Sequence, residues 1–344
     1  METAPMTLNP QFFPKISFMA FIFLLAVPLS AVPESSTEPP ASLKSAPSDP
    51  GLSENKVVKQ LSEGNFLKEL LGDEAVKDEI KEKWEFRKLV DRLKEDGFSS
   101  EHLKKVFTDP KVKFEPSGVS LFFIHSESSL DYDQFISRKS IKNAREYMEK
   151  YKQDLEKAEE KYGVDKTIIT AIILVETRLG NYLGNRAVIN TLSTMAALSG
   201  EKEREFLWNA ISDSRKLTRK KFDKKADIKS EWAYKELKAL LKYAEREDAD
   251  PVDITGSYAG AMGIAQFMPS NALSLARDGN DDGRINLFDH ADAIHSIANY
   301  LKNFGWEPSV TRQKAHKILY KYNHSNYYVD TLLKISDRLK VDNS

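Results

Sequence analysis

A mainly helical domain of the α+β class, with one minor β element, is predicted by three features of the 344-residue chain. From Lys56 onward apolar residues recur at the three- and four-residue spacing of a helix face. Only 111–124 (KVKFEPSGVSLFFI) has strand character, with β-branched and aromatic residues in a short run. No fixed period repeats along the chain, which removes solenoid architectures.

The N-terminal part reads as targeting and spacing. Residues 16–27 (ISFMAFIFLLAV) are apolar, follow Lys15 and precede Pro28, Leu29, Ser30 and Ala31, the order of a secretory signal spanning 1–31. The run is shorter than the about 20 residues a spanning helix needs. Cleavage near Val32 is therefore expected, with no stable membrane span afterwards; an uncleaved anchor is the alternative. Residues 32–55 hold five prolines and several serines with scarcely any apolar side chain. Such a composition cannot offset the entropy of ordering, so a disordered linker is expected there and a folded domain over 56–344.

Val57, Val58 and Leu61, then Phe66, Leu67, Leu70 and Leu71, open the helical pattern of that domain. Further helices are expected over 83–95, 101–107, 139–162, 165–178, 203–217, 230–247, 291–304 and 311–321. The most informative is 165–178 (DKTIITAIILVETR), where Asp165 can cap the start and Gly180 follows the end. Ile168, Ile169, Ala171, Ile172, Ile173 and Val175 leave it little polar surface, so it should be buried.

Composition narrows the chemistry. Without cysteine there is no disulfide, cysteine-ligated metal, thiol nucleophile or lipidated cysteine. With 51 basic and 52 acidic side chains the net charge is −1, which argues against bulk binding of nucleic acid. The six histidines form no H-E-x-x-H or other ligand spacing, and neither a G-x-x-x-x-G-K-[ST] nor a G-x-S-x-G motif occurs. Residues 215–225 (RKLTRKKFDKK) carry seven basic side chains and one acidic. They suit either a solvated helix end or a contact surface for an anionic polymer.

Four places could carry chemistry. Glu176 falls in the last turn of the buried helix, where the negative end of the macrodipole and apolar neighbours both disfavour the carboxylate. A general acid needs such a carboxyl, and moving glutamate from about 4.3 to about 6 is worth roughly 2 kcal/mol. An ion pair between Glu176 and Arg178 is the ordinary alternative. In 256–270 (GSYAGAMGIAQFMPS) small residues alternate with Ser257, Tyr258, Gln266 and Phe267, allowing close approach of a ligand or tight helix packing.

Residues 278–292 (DGNDDGRINLFDHAD) place Asp278, Asn280, Asp282 and then Gly283 in the order of an EF-hand-like calcium loop. Arg284 can offer only its carbonyl. Asp289 stands where the closing bidentate glutamate is usual, and Asp292 offers closure through a longer loop. A structural Ca²⁺ is expected, with no organic cofactor. Finally, Tyr322, Asn323, Ser325, Tyr327 and Tyr328 suit stacking on sugars, or ordinary packing.

Together, Glu176-Thr177-Arg178 with Gly180, the block 256–270, the calcium loop and Tyr322-Asn323-x-Ser325 resemble the lytic murein transglycosylase B family over about residues 125–335. The resemblance implies a lysozyme-like catalytic core with additional helical parts, acting on peptidoglycan between N-acetylmuramic acid and N-acetylglucosamine. It implies Glu176 as the single catalytic acid and base, Ser257 as its support, and Gln266, Tyr300, Tyr322, Asn323 and Tyr328 as groove residues. It implies Asp278, Asn280, Asp282, the Arg284 carbonyl and Asp292 as calcium ligands. The product would be a 1,6-anhydromuramoyl end, formed without a second carboxylate. A hydrolytic muramidase and an inactive wall-binding scaffold are the rival readings. Two departures stand out: extra length between Glu176 and Ser257, falling in 215–247, and no cysteine for a lipid. The first leaves room for other cell-wall enzymes as partners, and the second implies a soluble periplasmic form.

Overall fold

The structure, a computed structural model, describes residues 84–124, 131–211 and 217–341. The expected signal, linker and first helical pattern lie outside the described residues. Thirteen described helices make up most of the chain, in the order α1 (Arg87–Glu95), α2 (Ser100–Thr108), α3 (Pro116–Ile124), α4 (Arg138–Lys150), α5 (Lys152–Tyr162), α6 (Lys166–Thr177), α7 (Val188–Ala197), α8 (Glu201–Ala210), α9 (Arg219–Arg246), α10 (Pro269–Leu275), α11 (His290–Asn303), α12 (Arg312–Tyr322) and α13 (Asn326–Lys340). Two-residue strands β1 (Arg186–Ala187) and β2 (Thr255–Gly256) pair antiparallel, Arg186 opposite Gly256 and Ala187 opposite Thr255. Among the described residues no helix is long and apolar enough to cross a membrane.

α6 is the axis of the core. Asp165 caps it by accepting from Thr167 N–H at 2.8 Å, and every residue from Thr167 to Thr177 is buried. It can be apolar all round because α13, α4, α5 and α11 pack about it. A second layer is built on α9, which lies along α7 and α10. The α9 charges are drawn to neighbouring elements: Arg204 pairs with Asp227 at 2.6 Å, and Arg92 with Glu231 at 2.8 Å.

Several local expectations change. The stretch 111–124 is not a strand: Pro116 opens α3, with φ already preset for the first helical turn. Its apolar run suits a buried helix as well as a strand, and periodicity does not separate the two. The minor β element is instead the β1–β2 pair. The helix expected over 139–162 breaks at Tyr151, whose ring stacks on His290 at 4.2 Å between centroids. α9 begins at Arg219, well before 230, whereas the helix expected over 203–217 is α8, ending at Ala210. α7, α10 and α13 were not anticipated.

Candidate active site

Glu176 sits one residue from the end of α6 and is 7 % exposed. The Tyr328 hydroxyl donates to its Oε1 at 2.7 Å, while Oε2 is buried without a hydrogen-bond partner among the described residues. Burial pushes the carboxyl up to about 8, and the Tyr328 hydrogen bond opposes that only in part. Among the described residues no charged side chain contributes to the shift. The ion pair with Arg178 does not form: that guanidinium donates to Gln134 and lies 5.6 Å from the ring centres of Phe135 and Tyr182.

The backbone after the glutamate is bent sharply. Arg178, Leu179 and Gly180 all have positive φ, at 49°, 63° and 85°. Only glycine adopts this region without cost, so two non-glycine residues held there mark a turn fixed by its surroundings. Those surroundings include Thr177, whose hydroxyl accepts from Gly180 N–H at 3.1 Å and donates to the Ile264 carbonyl at 3.1 Å. The glutamate's own helix end is thereby tied to the glycine-rich block.

That block is a folded ribbon. Bridges Gly256–Met262 and Met262–Phe267 extend β2 back on itself. Gly184, at φ 88°, passes so close that a Cβ there would lie 2.1 Å from the Gly256 oxygen. Ser257 follows, and its hydroxyl oxygen accepts from Ala259 and Ala261 N–H at 3.3 and 3.1 Å. No hydrogen bond joins Ser257 to Glu176 among the described residues; its proton is left to donate. Gln266 is buried at φ 48° and donates from Nε2 to the carbonyls of Leu183 and Gly263, at 3.2 and 2.9 Å.

The C-terminal tyrosines close the site from the other side. The Tyr322 hydroxyl donates to the Ala265 carbonyl at 2.5 Å, and the Tyr300 hydroxyl to the Lys321 carbonyl at 2.8 Å. Their rings meet edge to face at 4.8 Å. Asn323 is buried at the end of α12, and Ser325 caps α13 by accepting from Tyr328 N–H at 3.2 Å. Burial holds Tyr328 well above the ordinary phenol range, with Glu176 adding to the effect. Glu176, Gln266, Tyr322 and Tyr328 are thus joined within two bonds of each other or of the 264–266 backbone. Ser257 is placed through the ribbon, and Tyr300 and Asn323 stand behind Tyr322.

Thr177 was named in the motif beside Glu176 but given no role, and Tyr132 was not anticipated. Tyr132 is buried beside Tyr328. For Thr177 a signal existed, a hydroxyl in the last turn of an otherwise apolar helix; for Tyr132 none did. A cleft of about 530 Å³ opens at the opposite end of α6, near Asp165, Trp306 and Lys340, and Glu176 does not line it.

In the loop 278–292 the oxygens are already turned by the backbone. Asp278 accepts from Asp281 and Gly283 N–H at 2.7 and 2.8 Å, Asn280 from Asp282 N–H at 3.0 Å, and Asp282 from Arg284 N–H at 2.8 Å. Asp289 caps α11, accepting from Ala291 N–H at 2.8 Å. Asp292 is fully buried, accepts from Gly279 and Asn286 N–H at 2.8 and 2.6 Å, and is pushed up by burial. Among the described residues no three histidine or acidic side chains draw together as a metal site. The donors in hand, carboxylates, an amide and a carbonyl in order, are those a hard cation takes. The Arg284 guanidinium turns outward to Asp248 at 3.5 Å.

Comparison with known proteins gives one consistent answer. The family model described as "Transglycosylase SLT domain" matches residues 81–315. Membrane-bound lytic murein transglycosylase B of Escherichia coli (strain K12) is 35 % identical over 173 residues, which are 50 % of this chain and 40 % of that protein. The match therefore spans well under half of the relative's length. Soluble lytic transglycosylase SltB1 of Pseudomonas aeruginosa superposes with a TM-score of 0.61 at 25 % identity, over 74 % of this chain and 98 % of that one. The Escherichia coli lytic transglycosylase Slt35 in complex with calcium gives 0.60 at 23 % identity, over 75 % and 93 %. The mainly helical, lysozyme-like architecture is shared with these structures.

Proposed function

This chain belongs to the transglycosylase SLT domain family, and from that premise we propose that it is a peptidoglycan lytic transglycosylase of the periplasm. It would cleave the β-1,4 bond between N-acetylmuramic acid and N-acetylglucosamine and leave a 1,6-anhydromuramoyl end. The observation that carries the reading is Glu176: buried, protonated at neutral pH, one oxygen held by Tyr328 and the other unpartnered. The murein transglycosylase of Escherichia coli, similar over half of this chain, supports the choice of substrate.

The chemistry follows from those two oxygens. Protonated Glu176 donates from Oε2 to the glycosidic oxygen as the C1–O bond breaks. The muramic N-acetyl carbonyl stabilises the anomeric centre. Ionised Glu176 then takes the proton of the C6 hydroxyl as O6 bonds to C1, which restores the acid and consumes no water. Acid–base assistance of this kind contributes about 10²–10⁴ in rate. A two-carboxylate hydrolase would place its second acid about 5–9.5 Å away. Among the described residues the Glu176 shift comes from burial and the Tyr328 hydrogen bond, and the single-carboxylate route needs no second acid.

Mass spectrometry of muropeptides released from intact peptidoglycan tests this. Products one water lighter than reducing-end muropeptides are expected; reducing ends would establish the muramidase instead.

The loop 278–292 is proposed to hold a structural Ca²⁺ through Asp278, Asn280, Asp282, the Arg284 carbonyl and Asp292. Bound there, the ion would neutralise the buried Asp292. The same loop supports the site wall, since Ile264 N–H donates to the Leu287 carbonyl at 2.8 Å.

A further inference from the structure

α9 turns two lysines of one face inward. Lys229 is 6 % exposed, and Lys225, one turn before it, is half-buried. The Lys225 ammonium donates to the carbonyls of Phe122 and Phe123, both at 3.2 Å, in the last turn of α3. The Lys229 ammonium lies 4.7 Å from the ring centre of Phe122 and 5.4 Å from that of Trp232. Those two rings stack at 5.8 Å.

Neither lysine has an acidic partner among the described residues. The acids nearest in sequence serve other cations: Asp223 and Asp227 face Arg219 and Arg204, and Glu231 faces Arg92. Like charges four apart on a helix repel, and a buried ammonium forfeits its hydration. Burial, with Lys225 adding to it, pushes Lys229 down to about 8, so at neutral pH most of it stays cationic. A pair kept inward against both penalties is poised for an anion that arrives from outside the described residues.

The position says which anion. The Phe122 ring meets Tyr258 edge to face at 6.3 Å, and Tyr258 follows Ser257 in the glycine-rich ribbon. Ile228, 45 % exposed, and half-buried Trp232 share the helix face and form an apolar rim. We propose that Lys225 and Lys229, backed by the Phe122–Trp232 stack, form a subsite for a carboxylate of the peptide stem on the glycan strand, on the Ser257 side of Glu176. The subsite rests on the peptidoglycan reading above.

Binding by the full chain carrying Glu176→Gln tests the subsite without requiring turnover, so its failure is distinct from failure of the reaction. Sedimentation would be measured with stem-bearing strands and with strands stripped of their stems. The parent should prefer stem-bearing strands by about tenfold, equivalent to about 1.4 kcal/mol, and the preference should shrink with salt. Adding Lys229→Met should abolish it, and Lys229→Arg should retain most of it, with melting curves confirming that both fold. An undiminished preference in Lys229→Met overturns the proposal.

Discussion

Replacing Glu176 by glutamine should make the protein more stable, and increasingly so as pH rises. The native carboxyl titrates at about 8 against 4.5 in the unfolded chain. Between those values the unfolded state releases its proton while the native state keeps it, so wild-type stability falls with rising pH and levels off above about 8. The penalty is about 1 kcal/mol at pH 5 and about 4 kcal/mol at pH 7.5, at 1.36 kcal/mol per unit. Glutamine keeps the shape of the protonated acid: its carbonyl can accept from Tyr328 and its amide takes the place of the unpartnered Oε2. Urea unfolding of both proteins at pH 5 and 7.5 should show the gap widening by about 3 kcal/mol. Turnover should be lost while strand binding persists. A gap equal at the two pH values would refute the buried, protonated glutamate and the mechanism built on it.

Other perturbations read different parts of the site. Tyr328→Phe removes the one hydrogen bond that lowers the Glu176 carboxyl, so the alkaline limb of the rate profile should move upward. kcat should fall by about 10–100-fold with little change in KM, since orientation is lost and the strand contacts stay. A chelator should lower the melting temperature of the calcium-loaded protein, with about 2.7 kcal/mol of linkage at a hundredfold excess of ion over Kd. Asp292→Asn should abolish that difference, and an unchanged melt on chelation would remove the ion. Gly184→Ala sets a Cβ 2.1 Å from the Gly256 oxygen at φ 88°. It should destabilise by about 2 kcal/mol or more and lower activity through displacement of the Ser257 ribbon, measurable by melting and by strand turnover.

What could be read from the sequence was decided by whether local chemistry sufficed. α6 was legible because its cap, its apolar run and its terminal glutamate all lie within one stretch. The order of oxygens in 278–292 was likewise a local pattern. α3 was misread because Gly118, Val119, Ser120, Phe122 and Phe123 are all buried, and a short apolar run has no period to betray. α7 was missed for a related reason: every residue from Val188 to Ala197 is buried, so no polar face marks the helix. The inward turn of Lys225 and Lys229 had no signal either. In sequence Lys225 closes a basic run that suits a solvated surface and Lys229 stands just beyond it, and only α3 packing against them shows otherwise.

The cause assigned to the Glu176 shift also changes between sequence and structure, and the change bears on mechanism. The helix dipole was one of two expected contributions; burial is the largest in the structure, and no charge assists it. A dipole would act on both oxygens alike. The observed environment distinguishes them: Tyr328 holds Oε1, and Oε2 is enclosed with no partner among the described residues. With the Tyr328 hydroxyl donating to it at 2.7 Å, Oε1 acts as the acceptor. That arrangement leaves Oε2 as the oxygen to carry the acid proton. In the proposed cycle Oε2 would then both give the proton and take one back. Tyr328 favours that arrangement, and in the ionised half of the proposed cycle its hydrogen bond would stabilise the carboxylate.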